Sequence, residues 1–150
     1  MADVRLEKRL AAPVESVFDA MADHGRYDRF RPISRSELVR EGEVDRNGIG
    51  AVRRLRAGIL RFDEEITAYE RPGRLDYLII DVNVPLEHDG GSIRFEPAPG
   101  GTRVLWTSTF RIPIPLLRPA LEAAFRRGLT RSFTKMLEDA EKLASEQNGS

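Results

Sequence analysis

Four residues of this 150-residue chain pair charge or proton chemistry with neighbours able to enclose it: Arg53, Glu64, Tyr77 and His88. The turn Ala57-Gly58 sets a register for the strands on either side of it. If Leu55 faces Phe62, then Arg53 faces Glu64 and Ala51 faces Ile66, so the apolar partners agree on one face while Arg54 meets Asp63 on the other. That register puts Arg53 and Glu64 among apolar neighbours on the concave side of a barrel-like wall. A guanidinium fork there could hold a carboxylate or polarise a ketone, and the glutamate could move a proton. The plainer reading is a cross-strand ion pair, because a buried arginine needs a partner whether or not a ligand exists.

Tyr77 alternates with Leu75 and Ile79 in the run LDYLII, which is apolar on both faces; we place Tyr77 and Asp81 inward. Its hydroxyl could donate to a ligand carbonyl or simply bond a neighbour in the core. His88 falls in VNVPLEHDGG, where Pro85 and two glycines suggest a break at the rim of the wall, and a neutral imidazole there could act as a base. A lone histidine in a polar turn is more often surface. His24, between Asp23 and Gly25, reads as a cation at a helix C-terminus. The two histidines lack metal-ligand spacing and there is no cysteine, so no metal and no cofactor are expected. Gly48-Ile49-Gly50 precedes a strand, not a helix, and so lacks the N-terminus a phosphate loop needs.

The elements that must position these groups are legible from periodicity. Leu117, Leu121, Phe125, Leu129, Phe133, Met136, Leu137, Ala140 and Leu143 recur at three- and four-residue steps, predicting one long C-terminal helix from Arg118 to about Ser145. At 1.5 Å per residue it is roughly 40 Å long, and its apolar stripe needs an external cover. Alternating runs between Ala51 and Phe110 supply a curved antiparallel sheet to cover it. Val4, Leu6 and Leu10 mark a first strand, Pro13 to Ala22 a short helix, and Arg26 to Phe30 a second helical piece closed by Pro32. Strands are predicted over Glu37 to Glu41, Ile49 to Arg56 and Ser92 to Glu96. Pairing Phe95 with Val104 sets Ile93 opposite Trp106 and Gly91 opposite Ser108. Arg111 to Pro119 carries three prolines among Ile112, Ile114, Leu116 and Leu117, so it forms a connector at the mouth of any cavity, either as an apolar lip or as a plug.

Composition narrows the function classes. Lysine plus arginine number 24, as do aspartate plus glutamate, so no basic field favours nucleic acid. No run is long and apolar enough for a signal peptide or stable membrane insertion, and a cytoplasmic location is the default expectation. Residues 1–150 read as a single domain with a polar, disordered tail over 145–150, and its oligomeric state is not legible.

The order of strand, two short helices, six strands and one long helix, with GIGAVRRL, ERPGRLDY and GGTRVLW in their places, resembles the polyketide cyclase/dehydrase branch of the START-like superfamily. The resemblance spans Val4 to about Ala144 and implies the α+β helix-grip fold of birch-pollen-type allergens: a sheet of about seven strands around the C-terminal helix. One departure is Tyr27 to Pro32, where the family commonly has a tyrosine-proline-x-tryptophan signature. The resemblance implies a pocket without a complete catalytic set. The expected wall is Phe30, Arg53, Leu55, Phe62, Glu64, Tyr77, Ile79, Phe95, Trp106, Phe110, Leu117, Leu121, Phe125 and Leu129. Its partner is a hydrophobic small molecule, lipid-, polyketide- or aromatic-like, held between sheet and helix. The alternatives are an enzyme that cyclises or dehydrates such a molecule, with Arg53 and Tyr77 polarising carbonyls and Glu64 or His88 moving the proton, and an interaction domain whose core is filled.

Overall fold

Proline and glycine divide the chain into elements whose apolar faces all point to one interior. A computed structural model describes residues 1–148. The elements are β1 (Ala2–Leu10), α1 (Val14–Ala22), a 3-10 turn (His24–Arg29), β2 (Arg35–Arg40), β3 (Val52–Ala57), β4 (Leu60–Glu70), β5 (Arg74–Val82), β6 (Glu87–Ala98), β7 (Gly101–Arg111) and α2 (Arg118–Asn148). The seven strands form one antiparallel sheet in the order β1-β7-β6-β5-β4-β3-β2. The fold is an α+β helix grip, with α1 and the 3-10 turn joining the two edge strands.

Both hairpin registers read from the sequence hold, with Arg53 opposite Glu64 and Leu55 opposite Phe62, and with Ile93 opposite Trp106 and Gly91 opposite Ser108. Where the structure departs from expectation, bulges are the main cause. Glu64 pairs Ile79 while Asp63 pairs Asp81, so Ile80 is an extra residue that resets the alternation of β5. Asp81 therefore points outward and is exposed, correcting its inward placement. The break expected before Ser92 is likewise a bulge inside a continuous β6, between His88 and Gly90, where Gly90 takes φ 126°. β3 begins at Val52, later than predicted, because Gly48 to Ala51 form a turn that bonds back to Ile66. Residues 145–148, expected in the polar tail, continue α2, and residues 149 and 150 lie outside the described residues.

The two halves of α2 do different work. Met136, Leu137, Ala140 and Ala144 are buried, and the helix packs on α1, β1 and β7. Phe133 stacks on Trp106 with ring centroids 3.9 Å apart. Toward the N-terminus, Leu121, Phe125 and Leu129 are only half-buried, since the helix stands off from β3, β4 and β5 there. In the connector, Ile112 is buried while Leu116 and Leu117 are 95% and 57% exposed, so these two leucines do not plug the core.

This asymmetry gives an energetic contrast. Leu137→Ala should lower stability by about 2–5 kcal/mol, as for a buried leucine whose site cannot collapse. Leu121→Ala should cost about 1 kcal/mol or less, because it is half in solvent or cavity already. Urea unfolding midpoints of the two variants check this, and equal losses would show that α2 is packed evenly along its length.

Candidate functional site

The stand-off of α2 leaves a cavity of about 510 Å3 between the helix and the concave face of the sheet. That volume lies within the range of small-molecule sites. Leu55, Phe62 and Ile79 line it from the sheet, and Phe125, Leu129 and Met136 from α2. Arg53, Glu64, Tyr77, His88 and Ser108 gather at its polar end.

Arg53 is the pivot of that end. It is 1% exposed, its Nε donates to Glu64 Oε1 at 2.7 Å, and its Nη2 lies 2.7 Å from the same oxygen in the ion pair. Its guanidinium lies 4.4 Å from the Tyr27 ring centroid and 5.4 Å from that of Tyr77, which gives its charge two aromatic faces. Nη1 donates to His24 Nδ1 at 3.2 Å. His24 Nε2 meets the Asn47 carbonyl at 2.8 Å, and a carbonyl only accepts, so the proton sits on Nε2 and Nδ1 is free to accept. Burial, helped by the Arg53 charge, drives the His24 pKa down to about 3. His24 is thus a buried neutral acceptor, correcting its reading as a helix-end cation. Burial opposes the Arg53 charge as well, but Tyr27 and Glu64 more than offset it and the pKa rises. Burial pushes the Glu64 carboxyl up, while Arg53 pulls against it by charge and hydrogen bond.

Tyr77 is held inward by a glycine. Gly91 pairs with it across β5 and β6, and a Cβ at Gly91 would fall 2.1 Å from the tyrosine ring, so only glycine lets the ring lie there. Trp106 Nε1 donates to Tyr77 Oη at 2.8 Å. His88 stacks on the ring at 5.7 Å, accepts the Ile79 N–H at Nδ1 (3.0 Å) and therefore donates from Nε2 to Ser108 Oγ at 3.0 Å. Burial lowers its pKa to about 4, against the pull of Asp89. With its one lone pair spent on Ile79, His88 orients its neighbours and has no free site for a proton. Burial and the Glu64 charge hold the Tyr77 phenol well above its ordinary value, so it stays protonated.

Of the residues expected in the wall, Arg53, Leu55, Phe62, Glu64, Tyr77, Ile79, Trp106, Phe110, Phe125 and Leu129 line the cavity, as does His88. Phe30 and Phe95 are buried elsewhere, Phe30 edge-on to Tyr27 and Phe95 edge-on to Phe18, so they brace the wall from behind. Leu117 is exposed, and Leu121 stands one turn short of the cavity. The sequence reading missed Tyr27 and Ser108. Ser108 had a usable signal in its pairing with Gly91 on the inner face, whereas nothing local marks Tyr27 as the base on which Arg53 rests. Among the described residues no group of three or more His, Cys, Asp or Glu side chains is placed to share a metal ion, and no helix is long and apolar enough to cross a membrane.

A family model described as "Polyketide cyclase / dehydrase and lipid transport" matches residues 1–145. No curated protein matches the chain. Among solved structures, TTHA0849 from Thermus thermophilus is 21% identical with a TM-score of 0.79, over 97% of this chain and 99% of that one. A START superfamily protein from Mycobacterium smegmatis is 14% identical with a TM-score of 0.76, over 97% and 98%. The di-domain ARO/CYC StfQ from the steffimycin biosynthetic pathway is 18% identical with a TM-score of 0.76, over 99% of this chain and 52% of that one. At these identities the structural likeness shows a shared fold.

The buried neutral His24 makes stability depend on pH. Unfolded, it takes a proton near its ordinary 6.5, and folded it resists until about 3, so the unfolded state holds more protons between those values. Stability is therefore unaffected by His24 above about pH 6.5 and falls as pH drops through that window. His24→Gln keeps an acceptor for Arg53 and a donor for Asn47 without titrating. Urea unfolding at pH 7 and pH 5 should show the variant losing less stability than the wild type, by about 1.4 kcal/mol per pH unit where one proton is at stake. Parallel curves would show that His24 is not held neutral.

Proposed function

The chain belongs to the polyketide cyclase/dehydrase and lipid transport family, and from that premise we propose that it binds and carries an apolar small molecule in the cavity between sheet and α2. The observation that carries the reading is the cavity itself. The helix stands off and leaves about 510 Å3 walled by Leu55, Phe62, Ile79, Phe110, Phe125 and Leu129. Displacing water from such a wall favours an acyl or ring-containing ligand at about 25 cal/mol per Å2 of apolar surface covered. A filled interaction domain has no need of this space.

One observation favours a second, catalytic reading, in which the bound molecule is cyclised or dehydrated. The Glu64 carboxylate and the Tyr77 hydroxyl share the polar end, a pairing suited to taking a proton beside a carbonyl while that carbonyl is polarised. StfQ, with the same fold, is described as an ARO/CYC. In this reading Arg53 acts by holding Glu64, to which its Nε donates, while its Nη1 is engaged with His24.

Gly128 offers a direct test of binding. It lines the cavity from α2, and a Cβ there would meet nothing within 4 Å. Gly128→Phe should obstruct the cavity while raising stability slightly, because glycine in a helix interior costs about 0.5–1 kcal/mol relative to alanine. Trp106, the chain's single tryptophan, also lines the cavity and reports occupancy. The neutral dye N-phenyl-1-naphthylamine should bind the wild type in one equivalent, quenching Trp106 emission by energy transfer, and should bind Gly128→Phe at least about tenfold more weakly. Equal uptake by both, or none by the wild type, would remove the binding reading.

A further inference from the structure

The hydrogen bonds at the polar end can be counted donor by donor, and the count constrains what the cavity accepts. Arg53 is withdrawn from a ligand by its burial, not by a full set of partners for its five N–H groups. Its guanidinium is buried between Tyr27 and Tyr77, it donates to Glu64 and His24, and it is 1% exposed. Glu64 is less withdrawn. Its Oε1 faces Arg53 Nε and Nη2, while Oε2 has no hydrogen-bond partner among the described residues, on a side chain that lines the cavity. With 6% of its side chain exposed against 1% for Arg53, and with one oxygen unpartnered, the carboxylate is the group better placed to meet a ligand.

The hydroxyl side of the same end has a hydrogen to spare. His88 donates to Ser108 Oγ and Trp106 donates to Tyr77 Oη, so each oxygen already accepts one bond. Ser108 and Tyr77 both stand at this end of the cavity, and each brings one O–H. If Tyr77 donates to Ser108, the serine hydrogen is left over; if Ser108 donates to Tyr77, the tyrosine hydrogen is. Neither hydroxyl has another acceptor among the described residues, and both side chains line the cavity. At least one donor therefore faces the ligand in every arrangement of the network.

We infer that the cavity selects a neutral ligand whose buried end is a ketone or similar acceptor oxygen, and that Glu64 excludes carboxylates of the same shape. This rests on the binding reading above. A carbonyl satisfies the spare hydroxyl hydrogen, while an ionised acid would bring a second negative charge against Oε2 in a site poor in water. The cations Arg31, Arg131 and Lys135 also line the cavity, but they are exposed and solvated, where an ion pair is worth little. The chemical preference is thus opposite to that expected from a pocket arginine read by sequence, where a carboxylate anchor was one possibility.

The probes are 2-decanone and decanoate at pH 8, titrated against the wild type and Glu64→Gln by loss of N-phenyl-1-naphthylamine from the protein. An ionised acid partitions less well into any apolar cavity, so the ratio of affinities in the wild type alone does not identify Glu64. Glu64→Gln does, because it keeps an acceptor for Arg53 and removes the negative charge: decanoate should gain about tenfold while 2-decanone changes little. In parallel, the infrared carbonyl band of 13C-labelled 2-decanone bound to the wild type should lie at lower frequency than in hexane, the mark of a donated hydrogen bond. An unchanged ketone-to-acid ratio in Glu64→Gln, or equal binding of both probes by the wild type, overturns the exclusion of acids. A bound carbonyl band at its hexane position overturns the donor, and decides the matter even if Glu64→Gln fails to fold. If the dye binds and neither probe displaces it, the selectivity fails alone; if nothing binds, the reading beneath it fails too.

Discussion

A positive charge buried in the concave wall of the sheet is the constraint around which this molecule is arranged. Arg53 has lost its water, and removing a guanidinium from water costs several kcal/mol unless partners replace the solvent. The replacements come from two places. Glu64 arrives from β4 because the two-residue turn fixes the hairpin register. His24 and Tyr27 arrive from the 3-10 turn after α1, so the segment joining the edge strands is tied to the centre of the wall. Each partner is specialised by the demand: His24 must be neutral to accept, and Tyr27 must present its face. The Tyr27 hydroxyl in turn donates to the Met21 carbonyl at the end of α1, which fixes the ring.

The cavity follows from where packing stops. The C-terminal half of α2 is seated on α1, β1 and β7, while the first half passes over β3 to β5 without touching them closely. Bulges in β4, β5 and β6 shift the register and so reset which side chains face inward. The resulting chamber is apolar along its length and polar at one end. That end is internally neutral, since one guanidinium and one carboxylate offset each other and both histidines are uncharged near pH 7. Such a chamber orients a ligand by hydrogen bonds without demanding that it be charged.

Much of this was legible before any coordinates, and the physical reason is local consistency. Where a tight turn and strict alternation agree, as around Ala57-Gly58 and Pro97 to Gly101, the sequence leaves one register in which apolar partners meet, and the ladders follow it residue for residue. The stripe of α2 was legible for the same reason. Asp81 was misplaced because β5 is apolar on both faces, so nothing in its pattern betrays the extra Ile80. His24 was misread because its decisive contact, Arg53, lies 29 residues away and is brought near only by the closure of the fold. Leu117 and Leu121 continue the helical stripe perfectly well, yet the stripe says which side faces the sheet and not where along the helix the sheet begins. Periodicity specifies faces; depth along an element depends on tertiary packing.

The measurement that bears most directly on the buried charge is a double-mutant cycle on the pair, with Arg53→Met, Glu64→Leu and the combined variant compared by urea unfolding. Each single change leaves a buried ion without its partner and should cost about 3–5 kcal/mol, whereas the double replaces both with apolar groups of similar size and should cost far less than the sum. A large favourable coupling is the expected result. Additive losses would mean that Arg53 is held by something other than Glu64, and the internally neutral polar end described above would not stand.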